Sequence, residues 1–599
     1  MADMPQTKGA HPMPGQYDPR VLTGLCALLA ASILAAAAAP AQTASEPAQT
    51  ASEPAPFPVS ITVDAAKSLG TLSRAWSYFG ADEPNYATMK DGEDLLASLG
   101  ALDPGNVYFR THHLMTSGDG TPSRKWGSTN IYSEDANGNA IYSYTIVDHI
   151  FDTYLKHGLK PYVEIGFMPE ALSSKPEPYR SDWRPGFDYG RIGTGVSFPP
   201  KNYGKWGELV FHWVTHCLER YGKAEVESWY FEVWNEANLP VYWKGTAEEF
   251  YRLHDVAVDA VRRALPTARV GGPDMAGSGT FLDGFITHVV TGKNYANGRI
   301  GTPTDFVSFH AKGLPTFLGD HVRMNMSPQL SDADHGFKTI AADPALKDKP
   351  IVIGESDPDG CAACLGPQLG YRNSTMYSSY TAASFPRLVE LARRSHVKLQ
   401  GVLTWAFEFE DQPYFAGYRQ LTSNGLDLPV LNVFRMYAKM RGDQIEASSS
   451  GQIALDDVLK YGIKQRPDVG VIAARENDEV SVLVWHYFDD DVPGPEARIA
   501  IQLKHLPRAY AVDALVTHYR IDNAHSNAYA LWQKMGSPLT LQDADFAALK
   551  AQSSLQTLSA PETAKVINGQ TNLTINLPRQ GISLLVLRPR ISHDAASQK

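Results

Sequence analysis

The sequence predicts an α/β protein: a (β/α)8 TIM barrel followed by an accessory β-sandwich. Three observations carry that prediction. From about residue 75 to 440, short apolar runs alternate with longer amphipathic segments, a pattern that requires parallel strands joined by helical crossovers. Eight such runs occur in that span, the number that closes a barrel. Polar residues collect at the end of nearly every run, and no Gly-rich phosphate fingerprint follows the first, which argues against an open doubly wound sheet.

At the N-terminus, Lys8 and Arg20 precede an uncharged apolar run from Val21 to Ala39, and Ala39-Pro40-Ala41 follows as a cleavage-site pattern. That order reads as a secretory signal peptide over residues 1–41. It predicts an exported protein, periplasmic or secreted, with no stable membrane insertion after cleavage; a transmembrane anchor is the alternative, since the run is nearly long enough to span. A duplicated heptad, QTASEPA at 42–48 and again at 49–55, has no large apolar side chain to offset chain entropy, so residues 42–56 read as a disordered linker. Val59-Ser60-Ile61-Thr62-Val63 alternates like a strand, and the segment 57–74 is expected to join the later sheet.

Within the barrel region 75–440 the strand candidates are Trp76–Gly80, Val107–Arg110, Pro161–Ile165, Ser228–Val233, Arg269–Gly271, Phe306–Phe309, Pro350–Gly354 and Gln400–Trp405. One crossover shows the logic. Thr246 and Glu249 form a capping box, Phe250, Leu253, Ala257, Val261 and Ala264 recur at helical spacing, and Pro266 stops the helix. Beyond residue 440, Val480–Trp485, Ala497–Ile501, Leu573–Ile575 and Ile582–Leu587 alternate as strands between Pro/Gly turns. They assign 441–590 to a β-sandwich and leave 591–599 as a tail.

The chain has 599 residues, 43% of them hydrophobic and 20% charged, with a net charge of -11. No basic excess exists to replace phosphate counterions, which argues against a nucleic-acid partner. Of the four cysteines, Cys26 belongs to the leader, and Cys217 lies on an apolar helical face as a small hydrophobe. Cys361 and Cys364 form C-A-A-C with no second CxxC to complete a zinc site. In an exported chain they are candidates for a local disulfide, a redox pair being the alternative.

Two strands end in glutamate. Trp229–Val233 runs into Trp234-Asn235-Glu236, and Pro350–Gly354 runs into Glu355. Barrel enzymes keep their sites at the C-terminal ends of the strands. Glycosidic cleavage needs two carboxyls, one to protonate the leaving oxygen and one to attack the anomeric carbon or activate water. At the roughly 5–5.5 Å of a retaining pair, like charges are expected to raise one pKa and keep an acid protonated near neutrality.

The motif Phe231-Glu232-Val233-Trp234-Asn235-Glu236 resembles the acid/base segment of glycoside hydrolase family 39, with Ala237 where Pro is usual, and Ile353-Gly354-Glu355-Ser356 resembles its nucleophile segment. Arg110-Thr111-His112, PYVEIGFMPEAL at Pro161–Leu172, Phe309-His310 and Thr404-Trp405 are similar to its second, third, sixth and eighth strands. VLVWHYFDDDVPGPEA and NAY…W…MGSP look like its C-terminal sandwich, so the likeness covers most of residues 57–590.

The resemblance implies a retaining O-glycosyl hydrolase with Glu236 as acid/base and Glu355 as nucleophile. Asn235, Arg110, His112, His310 and Trp405 are then substrate-binding residues, together with one of Glu408 and Glu410. It implies a β-xyloside substrate, with xylose released from short xylo-oligosaccharides of xylan. An α-L-iduronidase or α-L-arabinosidase is the neighbouring reading, and a uronate carboxylate would need a cation such as Lys312 or Arg372. A non-catalytic carbohydrate-binding barrel would place one Glu away from the cleft. A redox or metal protein would centre on Cys361 and Cys364. Carboxyl chemistry calls on no cofactor and no metal.

Overall fold

The computed structural model describes residues 55–590 apart from positions 407 and 512. The leader, nearly all of the linker and the tail lie outside the described residues. Among the described residues, no helix is long and apolar enough to cross a membrane.

Eight parallel strands close into a barrel: β1 Tyr78–Ala81, β2 Val107–Thr111, β3 Leu159–Ile165, β4 Tyr230–Val233, β5 Arg269–Met275, β6 Phe306–His310, β7 Pro350–Glu355 and β8 Lys398–Trp405. A crossover helix follows each: α1 Lys90–Gly100, α2 Thr145–Lys156, α3 Tyr203–Tyr221, α4 Ala247–Ala264, α5 Thr280–Thr291, α6 Met326–Ala342, α7 Thr375–Arg394 and α8 Pro429–Lys439. All four residues of β4 are buried because one face meets the barrel interior and the other meets helices, so it reads as a continuous apolar run. The α4 capping box forms with both of its hydrogen bonds.

Strand periodicity fills the interior in layers. Tyr78, Tyr108, Tyr162 and Tyr230 pack together near the strand starts, with ring centroids 5.0 Å apart for Tyr78–Tyr108 and 5.1 Å for Tyr162–Tyr230. Two residues further along, the same inward face carries Arg110, Glu164 and Glu232.

Each strand differs from the sequence reading by a few residues at one end or both, and β1 and β5 show why. Trp76 lies in a turn ahead of β1. β5 runs past Gly271 through Gly272-Pro273-Asp274 to Met275, where the sequence reads as a turn. A register shift between Pro273 and Met275 marks a bulge, with Asp274 at φ 49°, and such bulges re-aim a side chain.

Apart from three short two-stranded pairs, the remaining described strands form one ten-stranded sheet, in which Phe57–Thr71 pairs antiparallel with Asp443–Ser449 and parallel with Ala497–Lys504. The sheet folds over on itself. Arg520, near one end of the strand order, donates to the Asn576 carbonyl at the other end at 2.8 Å. The central strand Glu479–Tyr487 is buried on both faces. Val480, Val482 and Val484 fill the sandwich interior, while Leu483, Trp485 and Tyr487 join the barrel-side core.

Candidate active site

Glu355 is the last residue of β7, and Glu236 stands three residues beyond β4. The chain after β4 turns sharply: Trp234 has φ 71° and Glu236 φ 44°, left-handed values that cost side-chain-bearing residues energy and concentrate at working sites. The turn is tied to β5, since the Glu236 N–H donates to the Asp274 carbonyl at 2.9 Å. Glycine permits the close approach of β7 to β5, because a Cβ on Gly354 would collide with the Asp274 carboxylate. Both glutamates are buried. One oxygen of each and a ring nitrogen of His310 all lie within 4.8 Å of one another.

The cations beside the pair decide its electrostatics. Lys312, two residues past β6, places Nζ 2.9 Å from Glu236 Oε1 and 2.5 Å from Glu355 Oε2. His310 bridges Glu236 through Nδ1 at 2.7 Å and Asp274 through Nε2 at 2.8 Å. Burial alone pushes both glutamates up. The Lys312 charge and His310 outweigh it, holding Glu236 at about 2 and Glu355 well below its ordinary range. Burial opposes the charged form of His310 too, but Asp274 and Glu355 raise it to about 10. This corrects the expectation that like-charge repulsion keeps one of the pair protonated: an ammonium between two carboxylates removes the repulsion.

The raised carboxyls stand one layer below. Burial lifts Glu164 well above the carboxylate range, and burial with Asp274 lifts Glu232 to about 7. Arg110, wholly buried, meets Glu232 at 2.6 Å and Glu164 at 2.9 Å, contacts Asp274, and reaches Glu355 at 3.7 Å. It also donates to Asn235 Oδ1 at 3.0 Å, while Asn235 Nδ2 has no protein partner and remains a free donor. His112 lies 3.1 Å from Glu164 and 3.5 Å from Glu355 through Nε2, and 3.4 Å from Asp82 through Nδ1. Trp405 packs beneath His112, ring centroids 4.9 Å apart, and beneath the Arg110 guanidinium. Gly80 makes room for that indole, since a Cβ there would lie 2.5 Å from it.

The structure therefore gathers Glu236, Glu355, Asn235, Arg110, His112, His310 and Trp405 at one end of the barrel. It does not bring Glu408 or Glu410 to them. Glu408 accepts from the Asn424 N–H at 2.8 Å, and Glu410 accepts from the backbone at the start of α1. These residues follow β8 on a chain that has already turned toward α1. Arg372 cannot serve a uronate: it is fully buried and bound to Asp359 and to loop carbonyls. Cys361 and Cys364 are joined by a disulfide, and Cys217 is a buried thiol pushed up by its apolar surroundings.

Glu164, Glu232 and Asp274 were not legible as site residues one at a time. The available signal was the period of two: a step of two from Tyr108, Tyr162 and Tyr230 puts Arg110, Glu164 and Glu232 on the same inward face. Among the described residues, Glu236, His310 and Glu355 form the one cluster with metal-ligand spacing, and the Lys312 ammonium already supplies the positive charge between its carboxylates.

Comparison with known proteins places this arrangement. A β-xylosidase of Caldicellulosiruptor saccharolyticus is 26% identical over 493 residues, spanning 81% of this chain and 89% of that protein. The human α-L-iduronidase is 23% identical over 566 residues, spanning 87% and 75%. The crystal structure of a monomeric β-xylosidase from Caulobacter crescentus CB15 has the same fold, with TM-score 0.70 at 23% identity over 89% of this chain and 100% of that one. Residues 59–567, a span that includes both glutamates and most of the second sheet, match glycosyl hydrolases family 39, and the chain belongs to that family.

Proposed function

We propose that the protein is a retaining β-xylosidase that releases xylose from xylo-oligosaccharides by double displacement. The observation that supports the stereochemistry is the approach of Glu236 and Glu355, one oxygen of each lying within 4.8 Å of the other. Such an approach fits the roughly 5–5.5 Å between the carboxyl groups of retaining pairs better than the roughly 6.5–9.5 Å that leaves an inverting enzyme room for its water. Glu355 attacks the anomeric carbon, the glycosidic C–O bond breaks, and Glu236 gives its proton to the leaving oxygen. Water then attacks the glycosyl-enzyme with Glu236 as base. Asn235 Nδ2 is the donor for the sugar 2-hydroxyl. Glu236 is held ionised by Lys312 in the free site, so as the sugar enters Lys312 must give it up and Glu236 must take a proton from solvent before the bond is cleaved. The xyloside assignment is supported by the β-xylosidases at 25–26% identity.

One observation favours a second reading: a lysine ammonium at the centre of the site is a ready partner for a uronate carboxylate, as an α-L-iduronidase would need. Export is proposed from the leader-like order of residues 1–41, and N-terminal sequencing of the mature protein tests it.

A panel of nitrophenyl glycosides and uronides, with the first-formed anomer followed by NMR, decides among these readings. β-Xyloside cleavage with retained configuration is expected. Glu355→Ala should lose turnover by about a thousandfold or more, and azide should restore part of it as an inverted glycosyl azide. A retained azide product would take the nucleophile role from Glu355. Uronide cleavage in place of xyloside cleavage would establish the second reading.

A further inference from the structure

The disulfide loop takes no part in the chemistry above, yet it is connected to it bond by bond. Arg372 donates to the carbonyls of Cys361 at 2.6 Å, Ala362 at 3.2 Å, Cys364 at 2.6 Å and Gly417 at 3.1 Å. It also meets the Asp359 carboxylate at 2.8 Å. Three of those carbonyls belong to the four-residue turn that the disulfide closes, so they converge on one guanidinium only while the turn stays folded. Arg419 extends the network: its N–H donates to Ala362 O at 3.0 Å and its guanidinium pairs with Asp357. Asp357 in turn accepts the Trp405 N–H at 3.0 Å and the Tyr377 hydroxyl at 3.1 Å.

The network ends on Lys312. The Asp357 carbonyl accepts the N–H of Gly313, the next residue along, at 2.9 Å. Gly360 lies against the lysine stem, and a Cβ on it would be 3.5 Å from Lys312 Cδ and 4.0 Å from Nζ. The segment 357–361 is thus the wall that keeps the ammonium between Glu236 and Glu355. Two buried aspartates paired with two buried arginines hold that wall only while their geometry is kept, because imperfect buried ion pairs do not recover their desolvation cost.

We propose that the Cys361–Cys364 turn, clamped by Arg372, is a positioning element for Lys312, and that its reduction loosens the hold of Lys312 on the two glutamates. The consequence for turnover rests on the glycosidase reading; the consequence for Lys312 itself does not. Cys361 and Cys364 are half-buried, within reach of a small dithiol. One thiolate of the dithiol attacks a disulfide sulfur and expels the other as thiolate. The second thiol of the reagent then closes on the mixed disulfide, leaving two cysteine thiols and the oxidised reagent.

The test compares untreated protein, protein reduced with dithiothreitol and checked by thiol titration, and the double variant Cys361→Ser/Cys364→Ser. Lys312 acetylation by acetic anhydride, followed by mass spectrometry, reports its release without any substrate. Steady-state kinetics on the best nitrophenyl glycoside report the consequence. Reduction should raise Lys312 acetylation about fivefold, as local opening does. Followed across pH, it should also move the basic limb of kcat/KM upward by about one pH unit, because a looser Lys312 leaves Glu236 freer to hold its proton. The double variant should match the reduced protein and ignore dithiothreitol, and reoxidation should restore only the wild type. Faster acetylation in a protein that cleaves no glycoside would support the positioning role while removing the glycosidase reading. Unchanged acetylation and kinetics in fully reduced wild type, which needs no refolding, would overturn the proposal.

Discussion

Replacing Lys312 by Met keeps the length of the stem, removes its charge and leaves Glu236 facing Glu355 across at most 4.8 Å. At an effective dielectric of about 20, two unit charges at that distance repel by about 3.5 kcal/mol. That equals about 2.5 pKa units. In the variant, one carboxyl should move from its ordinary 4.5 towards about 7, whereas in the wild type Lys312 and His310 hold Glu236 at about 2. The basic limb of kcat/KM reports the proton donor of the free enzyme. Measured on a nitrophenyl xyloside, it should rise by two pH units or more (about 2.5 on the repulsion alone). Stability should follow the same proton. A carboxyl raised in the folded state binds a proton the unfolded chain has lost, so the variant should lose about 3.5 kcal/mol as pH climbs from about 4.5 to 7. Denaturant midpoints at the two ends of that range measure it. A basic limb that stays in place or moves down would show that Lys312 does not set the ionisation of the pair, and the electrostatic account of the site would fall with it.

Glu236→Gln should slow glycosides with poor leaving groups about a hundredfold more than activated aryl glycosides, because only the former need the proton; equal slowing in a leaving-group series would remove Glu236 from the acid role. Gly80→Ala puts a methyl 2.5 Å from the Trp405 ring and 2.8 Å from the Arg110 carbonyl. Overpacking there should cost about 1–3 kcal/mol of stability and raise KM as the indole shifts, which denaturant titration and kinetics would register together. His310, raised to about 10 from 6.5, contributes stability that is fully present below about pH 6.5 and is lost as pH rises towards 10. Chemical denaturation at pH 7 and about 9.5 should show a falling stability in wild type and a flatter one in His310→Gln.

The elements that the sequence reveals best are those with a local cause. The α4 capping box and the apolar spacing behind it are written within one helix, and both are found there. Glu355 was visible because an apolar strand runs straight into it. β5 was read short because Gly271-Gly272-Pro273 has the composition of a turn, while its bulge is held by pairing with β6. Glu408 and Glu410 looked near the sugar because they follow Trp405 in sequence, but sequence distance fixes no direction once the chain leaves a strand.

The sequence by itself determined the strand-helix alternation, the two strand-end glutamates and the family likeness, since each rests on residues within a few positions of one another. Only the tertiary structure decided the charge state of the site. Lys312, His310, Asp274 and Arg110 come from three different strands or strand ends, and closure of the barrel brings them within hydrogen-bond or ion-pair reach of the carboxylates. A pKa in a buried site depends on which charges stand within a few ångströms, and no one-dimensional pattern states that distance.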